Sequence, residues 1–291
     1  MIAVRLMGGL GNQIFQYAVG RSLAAARDTE LVLDLGWFSA EGGRASSPRQ
    51  YELGAFDLPA RTIRVSPLRI KLLERRATRR LSRLTWASPG LTLVREKGAN
   101  FDPAISQTPD DSLLIGFWQS EQYFHDTAKT LRGELTCRRP FDAPGTEVAR
   151  KIAASKSLGI HVRRGDYVTN PATNEFHGAL DREYYEHAVA FVLDRAPIQQ
   201  VFVFSDDPDW AREALSFSLP TTHVSREGRD HVDDLRLLQM CDHQVIANSS
   251  FSWWAAWLND NPEKIVVAPR QWFRDSSIDT TDLIPPSWYR L

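Results

Sequence analysis

"IAVRLMGGLGNQIFQYAVGRSLAAA", residues 2–26, passes from an apolar run through a glycine turn into an alanine-rich stretch, and "LVLDL" at 31–35 restores the apolar run. Short apolar runs bounded by turn signals read as buried strands, and the longer stretch between them reads as a helix. This is a β-α-β unit, which predicts a parallel sheet with helices on its faces. The same alternation returns along the chain. "SLLIGFW" (112–118) reads as a strand and "EQYFHDTAKTLRGEL" (121–135) has helical periodicity. Further on come a strand at 157–163, a helix near 181–195, a strand at 200–205, and helices at 208–215 and 231–242. "HQVIANSS" (243–250) and "KIVVAP" (264–269) add two strands with the helix "SWWAAWLN" between them.

Between 40 and 110 the pattern blurs: "EGGRASSPRQ" (41–50) reads as loop and residues 66–86 as a strongly basic helix. "CRRPFDAPGTE" (137–147), rich in proline, glycine and charge, is the best linker candidate. The fold class expected is therefore α/β, with one Rossmann-like half over 1–146 and a second over 147–291.

Composition narrows the function. The 291 residues carry 35 basic and 36 acidic side chains, so the electrostatic signature of a nucleic-acid binder is absent. Two cysteines, Cys137 and Cys241, are too few for a disulfide framework or a structural zinc site and suit a reducing compartment. The N-terminal run lacks the features of a secretory signal, and no window approaches eighteen consecutive apolar residues. A cytoplasmic protein is expected.

Ligands of open α/β sheets bind at the carboxyl ends of the strands, and four polar clusters fall there. "GGLGNQ" (8–13) offers a close backbone approach and a helix N-terminus to an anion; equally, Asn12 could simply cap the helix. In "HVRRGD" (161–166), arginine forks match phosphate oxygens bidentately. Alternation along a strand puts His161 and Arg163 on one face and Arg164 and Asp166 on the other, which makes Arg163 the ligand candidate and an Arg164–Asp166 ion pair the structural alternative. "FSDDPDW" (204–210) makes Asp207 a helix N-cap ahead of Pro208 and leaves Asp206 to accept hydrogen bonds from a ribose or base. Asp207 and Asp209 also spell the DxD with which metal-dependent sugar transferases hold a divalent ion. "VIANSSFSWWAAW" (245–257) places Ser249 and Ser250 at a helix N-terminus, where hydroxyls cap or bind phosphate, and assigns Trp253, Trp254 and Trp257 to the core. The run 69–83 has seven basic residues against Glu74, a solvated helix or one that approaches anionic lipid headgroups.

Together "RLMGGLGNQIFQYAVGRSLA", "FWQSEQYF" (117–124), "IHVRRGDYV", "FSDDP" and "DDLRLLQMCDHQVIANSSFSWWAAWLN" resemble the bacterial α-1,2-fucosyltransferases of glycosyltransferase family 11, in the family's order and over residues 5–259. The resemblance implies a GT-B architecture of two Rossmann-like domains facing a cleft. It implies inverting, metal-independent transfer of L-fucose from GDP-fucose to the 2-hydroxyl of a terminal galactose, without a cofactor. Carried over by position, His161 and Asp234 contact guanosine, Arg163 the diphosphate, and Ser249 and Ser250 phosphate. Asp206, Asn248 and Phe251 join the donor side, while Asn12, Gln13, Glu121 and His177 belong to the fucose or acceptor side. Asp166 is placed first as general base, with Glu175, His177 and Glu121 as the other candidates. The expected partners are GDP-fucose and a galactose-terminated or lipid-linked glycan, with peripheral membrane contact through 66–86 at the inner face. Two other functions stay open: a metal-dependent nucleotide-sugar transferase using Asp207 and Asp209, and a non-catalytic glycan- or nucleotide-binding protein.

Overall fold

The expected opening is present: β1 (Ile2–Arg5), a helix over Leu10–Ala26 and β2 (Leu31–Asp34). The computed structural model describes residues 1–40, 48–78, 91–224 and 230–291. The chain divides into two units, Met1–Thr136 with Thr280–Leu283, and Cys137–Asp279 with Ile284–Leu291. In the first, β3 (Arg61–Ile63), β4 (Thr92–Arg95) and β5 (Ser112–Ile115) complete a parallel sheet in the order β3-β2-β1-β5-β4. Buried Ala3, Val32 and Leu113 pack with Val65 and Ile70 on this sheet. At the end of β2, Asp34 is fully buried; it accepts hydrogen bonds from the amides of Gly36 (2.9 Å) and Val65 (2.7 Å) and pairs with Arg5 at 3.0 Å.

The second unit holds β6 (Ser157–Val162), β7 (Gln200–Ser205), β8 (Thr221–His223), β9 (His243–Val245), β10 (Val266–Ala268) and β11 (Tyr289–Arg290). Its order is β11-β10-β9-β6-β7-β8, all parallel. Counted within the unit from the β8 edge, this is the 3-2-1-4-5-6 order of a Rossmann sheet. The order reverses between β6 and β9, and a crevice opens at such a switch point, beyond the carboxyl ends of the strands. The α/β class with two Rossmann-like parallel-sheet units is as expected. Trp253, Trp254 and Trp257 are buried on the helix Ser250–Leu258, where Trp253 also meets Trp288 with ring centroids 5.4 Å apart.

Several elements differ from the sequence reading. The units divide at 136/137, at the head of the linker candidate, and not at 146/147. The reason is that Arg139 already pairs with Asp230 (2.7 Å) and Asp233 (3.1 Å), while Arg236 lies 3.8 Å over the Phe141 ring, all within the second unit. The proline and glycine of "DAPGTE" start a helix, Ala143–Ala153, in which Asp142 accepts from the Gly145 amide at 2.7 Å. Residues 121–135 form two short 3₁₀ turns before a helix at Ala128–Glu134. The basic helix is described as Pro67–Thr78, with Ile70 buried and Leu68 exposed; residues 79–86 of that reading, and 41–47 of the expected loop, lie outside the described residues. No helix among the described residues is long and apolar enough to cross a membrane.

Candidate active site

β6 ends at Val162, and the chain turns at once into a short helix, Gly165–Thr169, with Arg164 at its N-cap. A side chain three residues on therefore returns to its starting point: Asp166 pairs with Arg163 at 2.5 Å. The register Val162↔Ser205 sets Arg163 beside Asp206, the residue just past the neighbouring strand, and Nη1 of Arg163 lies 2.9 Å from Asp206 Oδ2. The other oxygen of Asp206 accepts the Arg164 amide at 2.7 Å. A Cβ on Gly165 would lie 2.7 Å from Asp206 Oδ2, so only glycine lets this carboxylate close on the arginine.

Burial would lower the Arg163 pKa, but Asp206 and Asp166 outweigh it and hold the guanidinium above its ordinary value. The two carboxylates engage one N–H on each terminal nitrogen, and a guanidinium has five. Donors remain for an incoming anion.

This geometry overturns the strand-face division. Arg163, and not Arg164, pairs with Asp166, because the strand stops one residue earlier than read and helical spacing replaces alternation. Arg164 turns away, with its guanidinium 3.9 Å over the Trp210 ring and Nε 3.4 Å from Asp207 Oδ2. Asp207 caps the helix Pro208–Ala214 by accepting from Trp210 N (3.2 Å), and Asp209 pairs with Arg212 at 2.8 Å. Both carboxylates of the DxD pattern thus have protein partners. No three His, Cys, Asp or Glu side chains cluster as metal ligands among the described residues.

His161, the last residue but one of β6, is 6% exposed and sits with its ring 5.1 Å from that of Phe251. Burial first, and then the Arg163 charge, pull its pKa from 6.5 to about 3, so the imidazole is neutral at neutral pH. Its Nδ1 is buried without a hydrogen-bond partner. Phe251 belongs to the first turn of Ser250–Leu258, whose N-cap, Ser249, makes no side-chain capping bond. The free amides of that turn suit an anion. Asp234 stands in the first turn of the helix His231–Met240, capped by Asp230.

Asn248 is 1% exposed, and its Nδ2 donates to the carbonyls of His177 (3.0 Å), Gly178 (3.1 Å) and Trp272 (3.2 Å). Its backbone carbonyl accepts from the Tyr167 hydroxyl at 3.0 Å, so Asn248 ties loops together, while its side-chain Oδ1 is buried without a partner. His177 stacks on Tyr167 with centroids 4.7 Å apart, and burial lowers its pKa to about 4. Tyr167 in turn lies under Arg163, 5.3 Å from Cζ to ring centroid, which joins His177 to the arginine cluster. Glu175 is exposed on the helix Pro171–Phe176.

In the first unit Gln13 is fully buried: Nε2 donates to the carbonyls of Gly8 (3.0 Å) and Gln50 (2.8 Å), and Oε1 accepts from Glu52 N (2.9 Å). It locks two loops together. Asn12 does not cap its helix, because Gly9 occupies that position; its Oδ1 accepts from Gln119 Nε2 at 2.8 Å. Glu121 lies on the 3₁₀ turn that follows. Sequence reasoning missed Glu96, just after β4, which accepts the amides of Phe117 (2.6 Å) and Trp118 (2.7 Å). Burial raises its pKa, against the lowering effect of those two bonds. Trp118 has φ +58, a left-handed conformation that costs a bulky residue about 1–3 kcal/mol. No sequence signal announced either feature.

An arginine held by two carboxylates at the switch point of a Rossmann sheet, beside an open helix N-terminus, is an arrangement suited to an anionic ligand. The family model described as glycosyl transferase family 11 matches residues 106–291. The chain belongs to this family and is a glycosyltransferase. It is 31% identical over 297 residues to an α-1,2-colitosyltransferase of Escherichia coli, covering 100% of this chain and 99% of the relative. The O-antigen biosynthesis glycosyltransferase WbnK of Escherichia coli is 29% identical over 303 residues, covering 98% and 99%. A galactoside α-(1,2)-fucosyltransferase 1 of Aotus azarae is 27% identical over 155 residues, 50% of this chain and 42% of the relative.

Proposed function

We propose that the chain transfers L-fucose from GDP-fucose, with inversion, to the 2-hydroxyl of a terminal galactose in a surface-glycan precursor. The observation that carries this reading is Arg163, fixed by Asp166 and Asp206 at the switch point of the second sheet. Departure of GDP leaves negative charge on the diphosphate while the sugar becomes oxocarbenium-like. A guanidinium already aligned there gains more from the transition state than from the ground state. The amides ahead of Phe251 add to it, and neutral His161 with the Phe251 ring receives the nucleoside side. Asp166 and Asp206 act through Arg163 as positioning residues, so Asp166 is relieved of the role of base. Arginine and the helix N-terminus supply the charge that a divalent metal supplies elsewhere, and turnover is expected to survive a chelator.

The α-1,2 linkage and the galactoside are supported by the names of the relatives; the 31% identical relative favours a second donor, a nucleotide-activated colitose. The test is turnover of GDP-fucose and GDP-colitose with a panel of galactosides, read by product linkage analysis. Fucosyl-α-1,2-galactoside is the expected product. Transfer of colitose alone would replace the donor, and donor binding without transfer to any acceptor would overturn the reading.

A further inference from the structure

The loop after β5 is held in a costly shape. Gly116 brings the chain so close to Glu96 that a Cβ there would lie 2.4 Å from that of Glu96. Glu96 takes both following amides, and Trp118 adopts φ +58. The result separates two adjacent aromatic rings. Trp118 is 1% exposed and packs edge-on against Tyr123 at 5.6 Å, with its indole N–H unpartnered, whereas Phe117 is 44% exposed. Gln16 ties this loop to the first glycine turn, donating to the Gly116 carbonyl (3.0 Å) and accepting from Met7 N (2.9 Å). The Gln119–Asn12 bond joins the same two turns at the carboxyl edge of β1 and β5, where ligands of parallel sheets bind.

Strain held by a partly buried carboxylate at the carboxyl ends of parallel strands marks a place where a side chain is being presented. We infer that Phe117 is a stacking platform for the acceptor sugar, with the Asn12 and Gln119 amides at its margin for hydroxyl groups. The chemistry fits a galactoside: its axial 4-hydroxyl leaves one face of the ring lined with C–H groups, which lie against an aromatic face, while amides bond to hydroxyls at the edge. Glu96 acts through the loop as a positioning residue. This inference rests on the galactoside reading of the proposed function.

Saturation-transfer NMR with methyl β-galactoside and methyl β-glucoside tests the platform without turnover. Aromatic-to-sugar transfer is expected for the galactoside in the native protein and its loss in Phe117→Ala, with Phe117→Tyr retaining it. In kinetics, Phe117→Ala is expected to raise the acceptor KM about tenfold while the donor KM stays within twofold. No galactoside signal in the native protein, or an acceptor KM unchanged in Phe117→Ala, would overturn the platform. A galactoside signal without transfer from any donor would overturn the proposed function and leave the platform standing.

Discussion

Replacing Arg163 with methionine removes the cation from a three-member cluster and leaves Asp166 and Asp206 facing one another. Breaking a fully buried ion pair costs about 3–5 kcal/mol, because a charge stays behind without compensation. Here the three side chains keep 22%, 15% and 26% exposure, so water screens the orphaned carboxylates and a loss of about 2–3 kcal/mol is expected. Neutralising the carboxylates as well, in the triple variant Arg163→Met, Asp166→Asn, Asp206→Asn, removes the repulsion. Its stability is expected to return to within about 1 kcal/mol of the native value. Turnover is expected to behave differently, since a lost transition-state donor of this kind costs about 100- to 1000-fold in kcat whatever the fold does. Urea midpoints and initial rates with GDP-fucose, measured on both variants, separate the two effects. Recovery of turnover together with stability in the triple variant would refute the assignment of Arg163 to the reaction.

A second outcome concerns pH. The folded-state pKa of His161 is depressed to about 3 from 6.5, so its contribution is fully present above about 6.5 and is lost as pH falls toward 3, where the unfolded chain takes up the proton first. Stability is expected to fall by up to about 1.4 kcal/mol per pH unit below 6 from this group, and His161→Gln should flatten the slope of the urea midpoint against pH. His177, depressed to about 4, adds a contribution of the same sign. Asn248→Ala leaves three carbonyls without their shared donor and is expected to cost about 2–4 kcal/mol by the same urea measurement; a loss below about 0.5 kcal/mol would show that the loops do not depend on it.

The buried strands were legible because a strand covered on both faces is an unbroken apolar run: β1, β2, β5, β6 and β7 all show it. β3, β4, β8 and β11 are short edge or near-edge strands with partly exposed side chains, and they leave no such run. At the site, the polar clusters after β6, β7 and β9 were readable from composition and position. Their internal wiring was not. Whether Asp166 meets Arg163 or Arg164 depends on where a strand gives way to a helix, a difference of one residue that changes the period from two to about 3.6. The hydrogen bonds of Asn248 and Gln13 were hidden for a similar reason: an amide beside a ligand turn and an amide tying that turn to its neighbours have the same sequence. Glu96 lies outside every motif, and its meaning comes only from the amides of Phe117 and Trp118 that fold back onto it.

The central claim is that Arg163 holds the distal phosphate of the donor nucleotide. Calorimetric titration of the native protein and of the triple variant with GDP and with GMP tests it without any acceptor. The native protein is expected to bind GDP at least about tenfold more tightly than GMP, a difference of about 1.4 kcal/mol, and the triple variant is expected to bind the two alike. A triple variant that still prefers GDP by the native margin would contradict the claim.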